Sequence, residues 1–285
     1  MIKYEALLSA VEYGTIARAA EHMGYTTSGI SRMISSVEEE LGVILLVRKK
    51  SGVTPTQECL ALLPHFRDLL KAHNDLNQTA AELKGLIIGN ITVGTSMEAY
   101  ISPLADIVGE FNKMYPGINV NVIEDYSSVL AAKLQSGNVD FCVMSRRPGQ
   151  FQWIKLKDDP LVVITSENHR FSELDGVTLQ MIQEETVIDI PNSIESDNAI
   201  MLRKNGIDIP RVLSCSNNFP APSMTEAGLG IALENQANAR VWNKNLQVIP
   251  IVPPQYVEIG IGIPENNNIS SAAGRFIDFA LDQMS

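Results

Sequence analysis

One face of a short helix near the start of the chain carries groups that can hydrogen-bond to bases and phosphates. These groups are hydroxyls and one guanidinium, contributed by Thr26, Thr27, Ser28, Ser31 and Arg32. Their chemistry suits base edges and phosphate oxygens, and no carboxylate interrupts the face until Glu38. A solvated helix surface would carry a similar polar face, so the surrounding elements decide between the two interpretations.

A group of cations flanks this face and could bind phosphates. It consists of Arg18 and the consecutive residues Arg48, Lys49 and Lys50. Three adjacent positive charges at the tip of a hairpin repel one another unless solvent or an anionic partner screens them. Such a turn is ordinary by itself, and only its position after the polar helix favours a phosphate contact.

The charge of the chain is unevenly distributed. The formal net charge is -11, which argues against a general affinity for nucleic acid. Up to Thr56, however, six basic residues balance six acidic ones, so the excess of negative charge lies after this position. The N-terminal segment is therefore electrically distinct from the rest of the chain.

Three short helices and a β-hairpin are predicted to position these side chains. Gly14 and Gly24 end the first two helices. Thr26 or Thr27 caps the third. We expect the third helix to bury one apolar stripe, formed by Ile30, Ile34, Val37 and Leu41. The hairpin follows Gly42 and carries the basic turn at its tip.

A long helix with a seven-residue apolar repeat follows, from Thr56 to about Leu86. The repeat is formed by Leu62, Leu69, Leu76 and Leu83, with Phe66 on the same side. Such a seam buries its apolar surface against a second helix, so it predicts a dimer. The leucines could instead pack against the C-terminal part of the same chain, and the sequence leaves both possibilities open.

After a boundary at Gly85–Gly89, predicted strands and helices alternate to the end of the chain. The strands are expected at 91–95, 118–124, 139–144, 161–166, 187–190, 212–216, 231–234 and 257–263. This alternation predicts parallel sheets with helices on both faces. With 285 residues and 45% hydrophobic content, the chain can bury the cores of two or three folded units.

The apolar runs are short, and the N-terminus lacks the pattern of a signal peptide. Leu161–Ile164, one of the longest runs, is far below the roughly 20 residues that a membrane helix needs. Met1–Glu5 contains no basic segment followed by an apolar core. We therefore expect a cytoplasmic protein with no membrane partner.

Together these features resemble the LysR-type transcriptional regulators. In the N-terminal segment the resemblance rests on Gly14, Ala19-Ala20, Ser31-Arg32, Glu39-Glu40-Leu41-Gly42, Arg48 and Thr56. Further along, and more weakly, it rests on Phe111, Tyr115-Pro116-Gly117, Gly137-Asn138-Val139-Asp140 and Gly228-Leu229-Gly230-Ile231. The chain departs from the family pattern at Thr27-Ser28, Leu46 and Cys59. The first departure bears on which DNA sequence is bound.

The resemblance implies an all-α winged helix-turn-helix at 1–58, a dimerising linker helix at 59–88 and an effector-binding domain at 89–285. The third is expected to resemble type 2 periplasmic binding proteins, with two α/β lobes joined by crossover strands near 163–167 and 260–264. Lobe one would comprise about 89–163 and 265–285, and lobe two about 164–264. The implied function is transcription regulation at a double-stranded DNA operator by a homodimer or homotetramer, under control of a small-molecule effector between the lobes.

The ends of the predicted strands give an independent route to the effector site, because ligands of α/β sheets bind beyond the carboxyl ends of the strands. The candidates are Thr95, Ser96, Met97, Tyr126, Ser145 and Arg146 in lobe one, and Asn192, Ser193 and Asn217 in lobe two. Hydroxyls and amides with one cation favour a small polar or anionic metabolite, such as an organic acid or an aromatic compound.

The sequence shows no recognisable catalytic or metal pattern. Ser96 lacks the G-x-S-x-G arrangement, the four histidines lack metal-ligand spacing, and the three cysteines are far apart. We assign no catalytic residue, metal or cofactor, and we leave Cys215 open as a redox sensor. A cytoplasmic enzyme or a solute-binding protein on the same two-lobed fold is the alternative function.

Overall fold

The computed structural model describes residues 1–84, 86–189, 195–214, 220–242, 245–265 and 269–284. It divides into two compact units, Met1–Gly89 and Asn90–Ser285, which are described separately below. Among the helices of these ranges, none combines the length and the apolar character that crossing a membrane requires.

The first unit contains three short helices, a hairpin and one long helix. They are α1 Ile2–Tyr13, α2 Ile16–Met23, α3 Thr27–Leu41, β1 Leu46–Lys49, β2 Gly52–Pro55 and α4 Gln57–Glu82. Gly14, Gly24 and Gly42 end the three short helices in the left-handed conformation, which glycine adopts without steric cost. The Thr15 and Thr56 side chains accept hydrogen bonds from the first turns of α2 and α4. The predicted order of elements is thus confirmed.

The core of the first unit lies between α1, α2, α3 and the start of α4. Ile30, Ile34 and Val37 of α3 are fully buried, as the apolar spacing predicts. Leu41 is 42% exposed, so its predicted place in this stripe is wrong. The helix ends at Leu41, beyond the residues that α1 and α2 cover, which leaves its last apolar side chain outside the core.

The hairpin, which we call the wing (Leu46–Pro55), is fixed to the turn between α1 and α2. The backbone N–H of Val53 donates a hydrogen bond to the Gly14 carbonyl at 2.8 Å. Gly52 has φ of 136°, and a Cβ at this position would lie 2.4 Å from the same carbonyl oxygen. Only glycine allows this approach, so Gly52 sets the position of the wing.

The second unit is an α/β fold whose strands are divided between two lobes. Its strands are β3 Gly89–Thr95, β4 Ile118–Glu124, β5 Phe141–Ser145, β6 Gln152–Ser166, β7 Val187–Asp189, β8 Val212–Ser214, β9 Ile231–Asn235, β10 Leu246–Pro250 and β11 Tyr256–Ile263. Its helices are α5 Ile101–Met114, α6 Ser127–Gln135, α7 Leu179–Gln183, α8 Asp197–Lys204, α9 Ala221–Glu226, α10 Gln236–Ala239 and α11 Ser271–Met284. A short 3-10 helix, Glu98–Tyr100, precedes α5.

One long strand, β6, belongs to both lobes. Residues 152–160 pair with β11 in the order β4-β3-β5-β11-β6, and residues 161–166 pair with β9 and β10. The chain returns to the first lobe between the end of β10 and the start of β11, at 250–256. The chain therefore crosses between the lobes at earlier positions than the expected 163–167 and 260–264.

The sheets are only partly parallel. β3 pairs with β5 and β7 with β8 and β9 in parallel, as alternation of strands and helices predicts. β6 and β11 run antiparallel to their neighbours, because each enters its lobe from the other one instead of following a helix. The expectation of parallel sheets therefore holds for β3 with β5 and for β7 with β8 and β9, and it does not hold for the crossover strands.

Candidate functional site

The polar face of α3 is displayed at the surface of the first unit. Thr27, Ser28 and Arg32 are exposed, and Ser31 is half-buried. The Thr26 hydroxyl accepts a hydrogen bond from the Gly29 N–H at 3.1 Å, so this residue caps the helix. Because the opposite stripe of α3 is buried, the helix is held with this face directed to solvent.

The predicted phosphate-binding cations differ in their surroundings. Arg18 is exposed, and its guanidinium lies 5.6 Å from the centre of the Tyr13 ring. Lys49 and Lys50 are exposed at the tip of the wing. Arg48 instead lies along α3, where it donates hydrogen bonds to Ser31 at 2.7 Å, Ser35 at 3.1 Å and Glu38 at 3.2 Å. In the structure Arg48 therefore holds the wing against α3, and its guanidinium already has three hydrogen-bond partners.

Glu38 connects α3 to the wing, a role that the sequence analysis missed. Its Oε1 accepts hydrogen bonds from the backbone N–H groups of Leu45 at 2.8 Å and Leu46 at 3.1 Å. Its Oε2 pairs with Arg48. A single carboxylate on an otherwise hydroxyl-rich face indicates a specific hydrogen-bonding partner. This pattern could have identified Glu38 from the sequence.

Replacing Glu38 with Ala is expected to lower the free energy of unfolding of the first unit by about 2 kcal/mol. The substitution leaves two part-buried N–H groups and one guanidinium without their acceptor, and each unsatisfied donor costs about 1–3 kcal/mol when fully buried. Glu38→Gln keeps one acceptor oxygen and should lose less than half as much. Urea titration of the full chain measures both variants, and equal losses would contradict the assignment.

The start of α4 packs into the first unit instead of forming a free seam. Phe66 is 5% exposed and stacks on Tyr4 with ring centroids 5.5 Å apart. Leu62 also contacts this core. The predicted dimerisation role of Phe66 is therefore corrected to a core role. Leu69, Leu76 and Leu83 are 44%, 66% and 86% exposed, so an apolar row open to a partner begins only at Leu69.

A cavity between the two lobes collects several of the predicted effector-binding residues. The volume that a water-sized molecule can occupy in it is about 50 Å³, and it is lined by Ser96, Met97, Tyr126, Ser127, Arg147, Asp189, Glu195, Ser196, Asp197, Asn198, Glu234, Asn235 and Asn238. Thr95 lies behind the wall, where its hydroxyl donates to the Met97 carbonyl and accepts from the Met97 N–H. The predicted Asn192, Ser193 and Asn217, and also Cys215, lie outside the described residues.

The arginine of the cavity is Arg147 and not the predicted Arg146. Arg146 is directed outwards, with its side chain 62% exposed and paired with Glu258 at 2.9 Å. Arg147 has a side chain only 5% exposed and pairs with Asp197 of lobe two at 2.8 Å. Side chains alternate along extended chain, so the position after buried Ser145 faces away and the next one faces back. This alternation could have identified Arg147.

Three hydroxyls link this ion pair to the far wall of the cavity. Ser127 lies 2.8 Å from both Ser96 and Ser145, and Ser145 lies 2.8 Å from Asp197. An ionised Asp197 only accepts, so Ser145 donates to it. Ser127 then donates to Ser145, and Ser96 donates to Ser127. The chain of donors runs in one direction, from lobe one to a carboxylate of lobe two.

The pKa of Glu234, an acid of the cavity lining, is raised. It stands near the end of β9 and is 8% exposed. Burial raises the pKa of its carboxyl to about 7. Hydrogen bonds from the Asn235 N–H and the Asn238 amide oppose this shift, and the charges of Asp197 and Glu98 add to it. The strand-end rule, applied to the predicted strand 231–234, would have found this residue.

Comparison with known proteins places both units in one family. Residues 3–60 match the bacterial regulatory helix-turn-helix proteins of the lysR family. Residues 84–285 match the LysR substrate binding domain. The chain belongs to the LysR family. As a LysR-type transcriptional regulator it combines a helix-turn-helix DNA-binding domain with an effector-binding domain.

Relatives and solved structures extend along nearly the whole LysR-type chain. It is 25% identical to the uncharacterized HTH-type transcriptional regulator YvbU of Bacillus subtilis (strain 168), over 97% of this chain and 96% of that protein. A full-length OxyR variant from Pseudomonas aeruginosa has the same fold, with a TM-score of 0.69 at 17% identity over 99% and 96% of the two chains. Full-length CbnR in complex with its target DNA gives a TM-score of 0.63 at 18% identity over 99% of each chain.

Proposed function

We propose that this LysR-type regulator inserts the N-terminal half of α3 into the major groove of an operator. The observation that carries the proposal is the exposed face formed by Thr27, Ser28 and Arg32 on a helix whose opposite side is buried. A helix fits the major groove, and Arg is the side chain that most often pairs with guanine there. Ser31 is already bonded to Arg48 and contributes a smaller surface.

Phosphate contacts are assigned to the exposed cations on either side of α3. Arg18 precedes it on α2, and Lys49 and Lys50 follow it on the wing. Phosphate contacts orient the protein on the duplex without reading its sequence. Arg48 and Glu38 act indirectly, because they fix the wing that carries the two lysines.

The working form that we propose is a dimer or a tetramer that regulates transcription in the cytoplasm without catalysing a reaction. The exposed leucine row of α4 supports self-association. The relatives are named transcriptional regulators, and CbnR was solved with its target DNA. A small effector between the lobes would shift the equilibrium between lobe arrangements and so control DNA binding.

Arg32→Ala is expected to weaken operator binding about 10- to 100-fold and to reduce discrimination between operator and scrambled duplex, because a lost base contact costs about 1–3 kcal/mol. The operator is a duplex selected from a random library by the wild-type protein, and fluorescence anisotropy gives the affinity for both duplexes.

Lys49→Ala is the matched comparison for Arg32→Ala. Loss of a phosphate contact should weaken both duplexes equally and reduce the slope of log affinity against log salt by about 0.9. If Arg32→Ala leaves operator affinity unchanged, the docking of α3 is wrong. If it weakens both duplexes equally, Arg32 contacts phosphate and reads no base.

A further inference from the structure

We propose that the effector carries a protonated amine or guanidinium group, which binds Glu234 in the cavity between the lobes. The inference rests on the proposed function only in taking this cavity as the effector site. It differs from the expectation of an organic acid, which was based on Arg146 as the cation of the site. The charges and the hydrogen bonds of the cavity support a cationic ligand, and the pKa of Glu234 predicts how its binding depends on pH.

Among the described residues that line the cavity, carboxyl groups outnumber cations, and the guanidinium of Arg147 is already paired. Asp189, Glu195, Asp197 and Glu234 line it together with Arg147. Arg147 pairs with Asp197 at 2.8 Å, and its remaining Nε is buried, out of reach of a ligand. Glu195 pairs with Arg203 outside the cavity. Among the described residues no cation pairs with Glu234, so this carboxyl group, when ionised, would repel an anionic ligand and attract a cationic one.

Glu234 retains an acceptor that the protein does not use. Its Oε1 accepts the Asn235 N–H at 2.8 Å and the Asn238 amide at 3.2 Å. Within the described part of the chain, no hydrogen bond reaches Oε2 and no cation pairs with this carboxylate. Oε2 is not fully buried, so a donor group of a ligand in the cavity can reach it. An ammonium or guanidinium group supplies both the donor and the charge.

The raised pKa of Glu234 predicts how affinity for such a ligand depends on pH. Its pKa of about 7 leaves the carboxyl partly protonated near neutral pH. Asp197 on α8 and Glu98 after β3 face it with negative charge, while Arg147 faces Asp197. A bound cation stabilises the ionised form, so binding should release a proton. Affinity for a cation should accordingly rise between about pH 6 and pH 8.

The test uses the full chain and three four-carbon probes that differ in charge, namely putrescine, butane-1,4-diol and succinate. Agmatine, lysine and arginine extend the cationic set. Thermal-shift measurements identify the probes that bind the folded protein, because such binding raises the melting temperature. We expect at least one amine or guanidine to stabilise the protein and the diol and succinate to have no effect. Calorimetry then measures the affinity and the proton release.

Glu234→Gln should weaken the stabilising amine at least about tenfold and abolish the pH dependence, because it keeps the side-chain shape and removes the charge. Glu173→Gln is the control: it makes the same substitution at an exposed carboxylate outside the lining and should change affinity less than about threefold. The proposal is overturned if no amine or guanidine stabilises the protein, if succinate does so instead, or if Glu234→Gln binds the amine unchanged.

Operator binding separates this inference from the proposed function. If a probe amine binds through Glu234 but leaves affinity for the selected duplex unchanged, the ligand class stands and the regulatory role of the cavity fails. If succinate alone binds and changes that affinity, the regulatory role stands and the ligand class fails.

Discussion

Arg147→Met should lower the free energy of unfolding of the second unit by about 3 kcal/mol. The side chain is 5% exposed and contacts Asp197 at 2.8 Å, the Ser145 hydroxyl at 2.9 Å and the Glu195 carbonyl at 3.2 Å. Removing one partner of a buried ion pair costs about 3–5 kcal/mol, because the other charge remains without compensation. The lower end applies here, since the Asp197 side chain is 20% exposed.

Arg146→Met is the natural control for this loss. The two arginines are adjacent, and only their directions differ. An exposed ion pair such as Arg146–Glu258 contributes about 0–1 kcal/mol, so this variant should unfold almost like the wild type. The double variant Arg147→Met and Asp197→Leu also removes the Asp197 charge that the single variant leaves unpaired. It should therefore recover much of the lost free energy of unfolding. Chemical denaturation measures the free energy of unfolding of all three variants. Similar losses for both single variants would show that the Arg147–Asp197 ion pair does not stabilise the second unit.

The Arg147–Asp197 pair also shows where sequence reasoning ends. The rule on strand ends selected Ser96, Met97 and Tyr126, which line the cavity, because a parallel strand and the helix after it fix the position of the loop between them. It did not select the direction of a side chain one residue beyond a strand. Asp197, which fixes Arg147, is fifty residues away in another lobe. Only the pairing of the lobes brings these charges together.

The first unit was more predictable because its signals are local. Capping threonines, left-handed glycines and an apolar stripe act within one or two helical turns. The wrong placement of Leu41 and Phe66, and the contacts of Arg48 with α3, depend on how separate segments pack together. Phe66 matches the leucine repeat in spacing, yet Tyr4 of α1 covers it. A repeat alone does not show where a helix leaves its own domain.

The contacts between the lobes suggest how an effector could act on the whole unit. Besides the Arg147–Asp197 pair, the Ala99 N–H donates to the Asn238 Oδ1 at 3.1 Å and the Trp242 indole donates to Glu98 at 3.2 Å. Asn238 also donates to Glu234. A ligand on Glu234 therefore touches the same side-chain network that joins the lobes, and its charge would change the balance between lobe arrangements.

Leu76→Asp should convert the protein to a monomer and weaken operator binding about 10²- to 10⁴-fold. Leu76 is 66% exposed in the middle of the open row that includes Leu69 and Leu83. A carboxylate in a buried helix seam is unfavourable, so association should fail while the fold, which does not bury this side chain, persists. Two linked DNA-binding units gain affinity from effective concentration, and monomers lose this gain.

Asn74→Asp provides the control on the same helix. Position 74 is two residues away, which places it about 200° around the helix from Leu76, and it is exposed. The variant adds the same negative charge to the same segment, so any general electrostatic effect on DNA binding appears in both. Sedimentation should show a dimer or larger assembly for Asn74→Asp and a monomer for Leu76→Asp. If Leu76→Asp retains the wild-type assembly, the exposed leucines are not the contact between protomers, and the separation of the two DNA-binding units must be set by another surface.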